Sequence, residues 1–451
     1  MSLPDKTTVL IVGAGPTGLA AALSLIHHDF RDFVIVDAVV QGENTSRALV
    51  VHAATLEALD TIGCGDDLVS MGTKASTVSL GTRTTDLVKA DIGCLSQYTR
   101  HPYALIIPQN LTESVLGNKL ASFGVSVHRP AKVVSLKPNE KSPQLIDVVF
   151  DNGKIITTSY VVGADGARSV VRTMAGIGFS DPNSGPGNDV TNLAQMILAD
   201  VTFDGRGADE LGFRGTMSCN SFFLCVPLPS SFNEFLAENG KVVHETIYRI
   251  GCGVPLEDGE IPRAPPKEYL QGLIDRFGPT RLSSDPSVNP NSKPICIKES
   301  IWATRFRTHC AIADKAFTRL GSDEGGAIML IGDAAHIHSP AGGQGMNLGL
   351  RDAVFLGDVL AKHVKATESK PLPEADTILD GFAAVRHARA LEVIGFTKFL
   401  LSVAGMKNKD RIFWWLPLSS VTVRDWVLWI AGKLSFTQGR MAWNLSGLGR
   451  R

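Results

Sequence analysis

A short strand pattern followed at once by a glycine-rich turn constrains the fold more than any other feature of this chain. Residues 8–12 read TVLIV, and the turn GAGPTG follows, with glycines at positions 13, 15 and 18. Apolar residues at helical spacing continue from Pro16 to His28, and a second β-branched run covers Phe33 to Asp37. This order predicts a buried parallel strand, a helix and a second parallel strand, which together begin a doubly wound α/β sheet.

The glycine turn predicts a site for a dinucleotide. Gly13 permits a tight turn, Gly15 lets the backbone approach a pyrophosphate, and Gly18 allows the helix to pack closely on the strand. The amide groups and the positive end of the helix dipole attract an anion there without a basic side chain. Asp37 ends the second strand, 19 residues after Gly18, where its carboxylate can accept the hydroxyls of an adenosine ribose. This unit alone does not distinguish NAD from FAD.

Composition narrows the partners and the compartment. The 44 basic residues nearly balance the 45 acidic ones, so we expect a small-molecule partner and no nucleic acid. The seven cysteines contain no C-x-x-C pair, which argues against a disulfide framework or a cysteine zinc site and suits a reducing compartment. With no signal peptide pattern and no apolar run long enough to span a bilayer, we expect a cytoplasmic protein without stable membrane insertion, either a monomer or a homodimer.

The pattern along the chain predicts three parts. Alternating β segments at 73–99 and 186–294 predict an antiparallel sheet domain, inserted into a discontinuous first domain. That first domain takes residues 1–72, 100–185 and 295–368, and residues 369–451 form a helical C-terminal segment. The segment holds five of the six tryptophans, and we interpret it as a packed cap or a dimer contact rather than a membrane anchor, although the sequence leaves both open.

Two further motifs decide between the dinucleotides. YVVGADGARSVVR covers Tyr160 to Arg172, and LIGDAAHIHSPAGGQGMN covers Leu330 to Asn347. Together with the first turn they resemble the single-component FAD monooxygenases of the aromatic hydroxylase class, which have the p-hydroxybenzoate and phenol hydroxylase fold. Segments at 46–57, 107–113 and 301–306 follow the family's order, so the resemblance covers nearly the whole chain.

The resemblance implies an α/β fold, with a Rossmann-type FAD-binding domain, an inserted antiparallel substrate sheet and a helical C-terminal segment. It also implies that Asp333 binds the flavin ribitol, that Arg47 and Gln109 touch FAD, and that Asp165 and Arg168 serve both FAD and the incoming nicotinamide. The residues that we expect to bind the cofactor are Gly13, Gly15, Pro16, Thr17, Gly18, Asp37, Arg47, Gln109, Asp165, Arg168, Gly332, Asp333, Pro340, Gly343, Gly345, Met346 and Asn347. A tight structural turn is the alternative for the glycines, and a helix cap for Asp333.

The activity implied by the resemblance is insertion of one atom of O2 into an aromatic substrate. NADH or NADPH would reduce FAD, and a C4a-hydroperoxide would transfer oxygen to a phenolic or polyketide-like natural product. Epoxidation and Baeyer-Villiger insertion on the same fold are near alternatives. A flavin-dependent reductase or dehydrogenase and a non-catalytic FAD-binding protein are alternatives of other classes. We expect no metal, because Asp333, His336 and His338, which could imitate an iron triad, lie in the flavin turn.

The substrate pocket is expected at the second sheet, where the sequence offers few candidates. Residues 241–250 alternate so that His244 and Tyr248 share one face of a predicted strand, while Arg249 points to the other. One face should line the pocket. We therefore predict Tyr248, His244 and Arg214 as pocket residues with a possible role in catalysis, against the alternative of core aromatics and a solvated arginine.

Overall fold

The computed structural model describes residues 3–40, 48–182, 195–205, 211–237, 242–307, 309–407 and 418–450. The strands in these ranges are β1 (Lys6–Val12), β2 (Phe33–Val36), β3 (Val50–Val51), β4 (Thr73–Ala75), β5 (Thr77–Gly81), β6 (Asp86–Asp91), β7 (Ala104–Ile106), β8 (Val133–Pro138), β9 (Ile146–Phe150), β10 (Ile155–Gly163), β11 (Phe179–Ser180), β12 (Gln195–Asp204), β13 (Arg214–Ser218), β14 (Ser221–Leu228), β15 (Ile247–Val254), β16 (Cys296–Arg307), β17 (Ala311–Ala313), β18 (Phe317–Arg319), β19 (Ala327–Leu330) and β20 (His336–Ile337). The α-helices are α1 (Pro16–His27), α2 (Ala53–Thr61), α3 (Gly65–Met71), α4 (Gln109–Ser122), α5 (Val170–Met174), α6 (Lys267–Phe277), α7 (Gly345–Thr367), α8 (Leu372–Ala404), α9 (Ser420–Ala431) and α10 (Ser435–Leu445).

The first large sheet contains the predicted strand-helix-strand unit. Its strands run in the order β18, β19, β10, β1 and β2, and β8 and β9 extend it from β10. The pairs of β1 with β2, β1 with β10, and β10 with β19 are parallel, so their carboxyl ends meet at one edge of the sheet. Helix α1 packs against α7 and α4 on one face. The apolar runs of β1 and β10 are buried, as expected for parallel strands covered on both faces.

The second large sheet has seven strands in the order β16, β12, β15, β14, β13, β5 and β6. All pairs of neighbouring strands in this sheet are antiparallel except the pair of β13 with β5, which is parallel. One face packs against α6 in a separate apolar cluster that includes Tyr248, Ile250 and Ile274. The opposite face contributes Val226 and Ile247 to the large core shared with β1 and α1. Side chains on that opposite face therefore point toward the first sheet.

Two small sheets and the last helices complete the fold. β3, β7 and β4 form one three-stranded sheet, and β11, β17 and β20 form the other. The long helix α8 packs along α7, whereas α9 and α10 contact β6 at the edge of the second large sheet. Among the helices of the described ranges, none combines the length and the apolar character needed to cross a bilayer.

The predicted fold class is confirmed, with two differences in detail. The strand predicted over 241–250 begins only at Ile247, because residues 242–246 form a mostly exposed loop. β16 pairs with β12 in the second sheet, whereas the sequence interpretation assigned residues from 295 onward to the first domain. The domain boundaries themselves stay a prediction.

Candidate active site

The first glycine turn has the backbone geometry that its sequence predicts. Gly13 has φ +102°, and a Cβ there would lie 2.3 Å from the Ala164 carbonyl oxygen. A Cβ on Gly18 would lie 1.9 Å from the carbonyl oxygen of Gly13. Gly15 differs, because a Cβ there would meet nothing within 4 Å, and Gly15 is the N-cap of α1 without a side-chain cap. Open space in front of a helix N-terminus suits the pyrophosphate of a dinucleotide.

Asp37 closes this turn from the end of β2. Its Oδ2 accepts a hydrogen bond from the Ala14 amide at 2.7 Å, and its Oδ1 accepts one from the Val39 amide at 3.0 Å. Arg129 donates to the Ala14 carbonyl at 2.8 Å and lies 3.9 Å from Asp37 Oδ2. Each carboxylate oxygen keeps a further acceptor site, so the arrangement leaves Asp37 able to accept a ribose hydroxyl.

Thr17 joins the first turn to the third motif. A Cβ on Gly332, which has φ +59°, would lie 2.8 Å from Thr17 Oγ1. A Cβ on Gly349 would lie 2.7 Å from the same oxygen. The first turn of α1, which begins at Pro16, is therefore held against both the turn after β19 and the start of α7. Thr17 packs between these elements.

The second motif lies beside the first turn and is tied to the third. Asp165 Oδ2 accepts from the amides of Val170 at 2.8 Å and Val171 at 3.1 Å. Its Oδ1 is buried and has no hydrogen-bond partner among the described residues. Arg168 is exposed. Arg172 donates to the Ala334 carbonyl and to the Ala167 carbonyl, both at 2.8 Å, and so bridges the two motifs. Sequence reasoning quoted Arg172 only as part of the motif and missed this bridge.

A buried ionic network supports the third motif from behind. Asp352 accepts from His336 Nε2 at 2.6 Å, from Arg386 Nε at 2.6 Å and from the Gly332 amide at 3.2 Å. Burial would raise the pKa of Asp352, but the positive charge of Arg386 and the His336 contact outweigh it and lower the pKa to about 2. Asp333 is exposed in the turn that this network supports.

The histidines of this motif are held by protein groups. His336 is bonded to Asp352, and His338 Nδ1 lies 2.8 Å from the Ser339 carbonyl. The described ranges contain no group of three histidine, cysteine or carboxylate side chains that could hold a metal ion.

The glycine turn before α7 is fastened to α2 by His52 and Asn347. Gly342 and Gly343 have φ +77° and +63°. His52 Nε2 lies 2.9 Å from the Gly342 carbonyl, so this nitrogen carries the proton and donates. The Asn347 side chain donates to the carbonyls of Val50 at 2.8 Å and Gly343 at 2.7 Å, and accepts from the His52 amide at 2.8 Å.

The side-chain amide of Asn347 is thus bonded to protein groups, and the predicted contact of this residue with the cofactor stays a prediction. What remains for a ligand is the backbone at the start of α7. There the first amides, including those of Gly345 and Met346, have no acceptor within the helix. Pro340 precedes the turn and is half-buried.

The C-terminal residues brace the same turn, which sequence reasoning did not anticipate. Gln344 is 1% exposed and donates to the carbonyls of Gly342 and Leu445, both at 3.1 Å. Arg351 donates to the Arg450 carbonyl at 2.7 Å. Since the Leu445 and Arg450 carbonyls lie about 100 residues from their donors, no local sequence signal identifies these two contacts.

Gln109 and Arg47 complete the predicted cofactor set. Gln109 begins α4, its amide N–H donates to the Ala48 carbonyl at 3.1 Å, and its side chain donates to Glu113 at 2.9 Å. Burial raises the pKa of the Glu113 carboxyl. Arg47 lies outside the described residues.

The second sheet corrects the predicted pocket residues. Tyr248 is 3% exposed and packs on Phe203 in the cluster covered by α6, so it points away from the first sheet. His244 is exposed before β15 begins. Arg214 pairs with Asp86 and donates to the Thr82 carbonyl in the β5–β6 hairpin, which makes it a structural contact of the sheet edge.

The face turned to the first sheet carries Arg249 instead. Arg249 forms two hydrogen bonds with Asp200 on β12, and its guanidinium carbon lies 5.6 Å from the centre of the Trp302 ring. Its Nη1 is buried without a hydrogen-bond partner in the described part of the chain. Tyr248 and Arg249 thus point to opposite faces of β15, as the alternation predicted, and Tyr248 points into the cluster covered by α6.

With this geometry in place, comparison with known proteins identifies the family. The sequence profile of the FAD binding domain family matches residues 6–204 and 295–397. The chain therefore belongs to the FAD binding domain family, which confirms the resemblance to FAD-dependent aromatic hydroxylases drawn from the three motifs.

Individual relatives support the same grouping. The chain is 28% identical to 6-methylpretetramide 4-monooxygenase of Streptomyces rimosus, over 90% of this chain and 63% of that protein. It is 29% identical to pentachlorophenol 4-monooxygenase of Sphingobium chlorophenolicum, over 84% of this chain and 64% of that protein. The chain thus spans somewhat less than two thirds of these relatives. The crystal structure of p-nitrophenol 4-monooxygenase from Pseudomonas putida has the same fold, with a TM-score of 0.75, 21% identity and 99% of each chain covered.

Proposed function

We propose that this protein is an FAD-dependent monooxygenase that places one atom of O2 in an electron-rich aromatic substrate, with NADH or NADPH as the electron donor. The observation that carries the proposal is the convergence of three turns on one edge of the first sheet. Gly13 lies against Ala164, Arg172 bridges to Ala334, and Thr17 lies under Gly332. The names of the relatives, which are aromatic monooxygenases, support the chemistry.

The residues fit an FAD molecule on two independent observations. The space in front of Gly15 is open, although neighbouring glycines are tightly enclosed. Asp165 Oδ1 is a buried acceptor that lacks a donor in the described residues. In this proposal Asp37 and the first turn hold the adenosine and pyrophosphate, whereas Asp333 and the turn before α7 hold the ribitol and the ring. When bound and reduced, FAD supplies the activation of O2.

The chain's own residues then bind, orient and exclude water. The N-terminus of α7 contributes a partial positive charge, which favours an anionic ring. His52 and Asn347 fix the turn that presents these amides, so little reorganisation is needed when the ring binds. The apolar side chains on the facing sheet, including Val226, belong to the large buried core and would help to keep water from a ring bound beside it.

Arg249 is the residue that we expect to select the substrate. A buried guanidinium with one unused donor favours a substrate oxygen that carries negative charge, such as a phenolate. Because Asp200 holds the other two nitrogens of the guanidinium, Nη1 has a fixed direction. A phenolic or polyketide-like ring stacked near Trp302 fits this arrangement better than an aliphatic acid.

Three measurements on the purified holoprotein test the proposal. Heating the protein should release FAD into solution. Some compounds in a panel of phenols should stimulate the oxidation of NADH or NADPH. With ¹⁸O2, the product should gain one labelled oxygen atom. Protein that cannot be loaded with FAD would contradict the cofactor assignment. Product without the label, despite stimulated oxidation, would favour a reductase or dehydrogenase. Epoxide or ester products would identify the alternative oxygen insertions.

A further inference from the structure

The last helices expose apolar residues on their outer side. These residues, which we call the tail face, are Trp426, Val427, Trp429, Ile430, Leu434 and Phe436, and they are between 47% and 79% exposed. Two large aromatic rings and several aliphatic side chains on one short segment form a patch of the kind that marks an interaction site. The proposed monooxygenase function does not require this face.

The orientation of α9 is fixed by its inner side, so the tail face cannot turn inward. Arg424 is 5% exposed and donates to the carbonyl oxygens of Ser218, Val403 and Ala404 at 3.3 to 3.4 Å. At the other end of the helix, a Cβ on Gly432 would lie 2.4 Å from the Leu87 carbonyl oxygen. Arg424 and Gly432 therefore face the second sheet together with Leu428, which packs on Leu87, Val88 and Met217. The other large apolar residues of the helix, Trp426, Val427, Trp429 and Ile430, face outward.

The segment that carries the tail face has a net positive charge. From residue 418 to 450 the sequence has four basic residues and one acid, a net charge of +3. The single acid, Asp425, is paired with Arg424 at 2.8 Å. The Lys433 ammonium lies 5.5 Å from the centre of the Trp429 ring, and Arg440 is exposed nearby in sequence. Exposed cations beside exposed tryptophans complement a surface that is apolar below and anionic above.

We propose that the tail face docks on an anionic lipid surface. Tryptophan and lysine side chains suit the boundary between headgroups and acyl chains, since their apolar parts enter it while their polar ends stay hydrated. Because the described helices include none that could cross a bilayer, the attachment is peripheral. A second copy of the chain is a poorer occupant, because a twofold contact on this face would bring two sets of cations together.

Vesicle co-sedimentation of the FAD-loaded protein tests this proposal. We expect binding to phosphatidylcholine vesicles that contain phosphatidylserine, and weaker binding to phosphatidylcholine alone or at high salt. The double variant Trp429→Ser with Ile430→Ser should bind the vesicles at least about tenfold more weakly, because it removes apolar area. Lys433→Glu with Arg440→Glu should abolish the preference for phosphatidylserine. The matched control is Val385→Ser with Leu391→Ser, which removes exposed apolar residues of α8 and should leave binding unchanged.

Retained FAD absorbance and far-ultraviolet circular dichroism establish that each variant is folded. The proposal is overturned if the wild type does not bind the phosphatidylserine vesicles, or if the α8 control loses as much binding as the tail-face variant. It is also overturned if light scattering shows a dimer that the tail-face variant dissociates while vesicle binding stays the same, since the face would then be a contact between copies.

Discussion

Arg249 on β15 donates to both carboxylate oxygens of Asp200 on β12, at 2.7 Å from Nε and 2.6 Å from Nη2. The two side chains are only 3% and 4% exposed. A buried ion pair of this kind gains little net stability over apolar residues, because desolvation offsets the attraction. Arg249 lies on the face turned to the first sheet, and its Nη1 has no partner within the described ranges, which fits a binding role better than a stabilising one.

Replacing Arg249 by lysine tests that role. Lysine keeps the positive charge but cannot hold Asp200 with two nitrogens and present a third, so we expect the KM for a phenolic substrate to rise about tenfold or more. FAD content should stay unchanged. The control is Arg214→Lys, which alters an arginine of the same sheet that is bonded to the exposed Asp86. Steady-state kinetics of both variants provide the measurement, and equal changes in KM would contradict a substrate contact at Arg249.

The open space at Gly15 leads to a second prediction. Gly15→Ala should fold normally, because its new Cβ meets nothing within 4 Å, but should lose affinity for FAD, because the methyl group occupies space in front of α1. Gly18→Ala should instead fail to fold stably, since its Cβ would lie 1.9 Å from the Gly13 carbonyl oxygen. Gly117→Ala in α4, also with nothing within 4 Å, is the control and should retain FAD. Flavin fluorescence titration and thermal unfolding distinguish the three cases.

Local patterns were sufficient to predict the strand-helix-strand unit. The apolar runs and the glycine spacing around Gly13 depend on neighbouring residues only, so β1, α1 and β2 were predicted within about two residues. The same reasoning assigned the second sheet as largely antiparallel. It failed for residues 242–246, where alternation continued into a loop, because periodicity does not show whether a partner strand is present.

Long-range contacts account for most of what the sequence could not give. Strand alternation separated Tyr248 from Arg249, but only the packing of α6 decides which face is covered. The bracing of Gln344 by the Leu445 carbonyl joins residues 101 positions apart through backbone atoms, which have no sequence signature. The contacts of the Asn347 side chain with Val50 and His52 were likewise not predicted, because these residues lie nearly 300 positions away in the sequence.

The buried imidazole of His52 predicts acid sensitivity of the flavin turn. Burial lowers the pKa of His52 to about 4 from an ordinary value of 6.5. Between these two pH values the unfolded chain binds a proton at His52 that the folded chain does not bind. The free energy of unfolding therefore decreases as the pH falls from about 6.5 to about 4, by about 3 kcal/mol in total. His52→Gln, whose amide can still donate to Gly342, should reduce this loss. Urea unfolding across that pH range provides the measurement, and an unchanged slope in the variant would contradict the assignment.

Asp352 predicts a separate loss at lower pH. Its folded pKa of about 2 lies below the ordinary 3.8, because the charge of Arg386 and the His336 contact outweigh burial. The stability that it contributes is therefore present above about pH 4 and lost as the pH falls to about 2, by about 2 kcal/mol. Asp352→Asn should destabilise the protein by about 3 to 5 kcal/mol near neutral pH, since it leaves Arg386 without its counter-charge. The gap between wild type and variant in urea unfolding should narrow through that acid range, and Asp358→Asn, which removes a partly exposed pair with Lys362, should show neither effect.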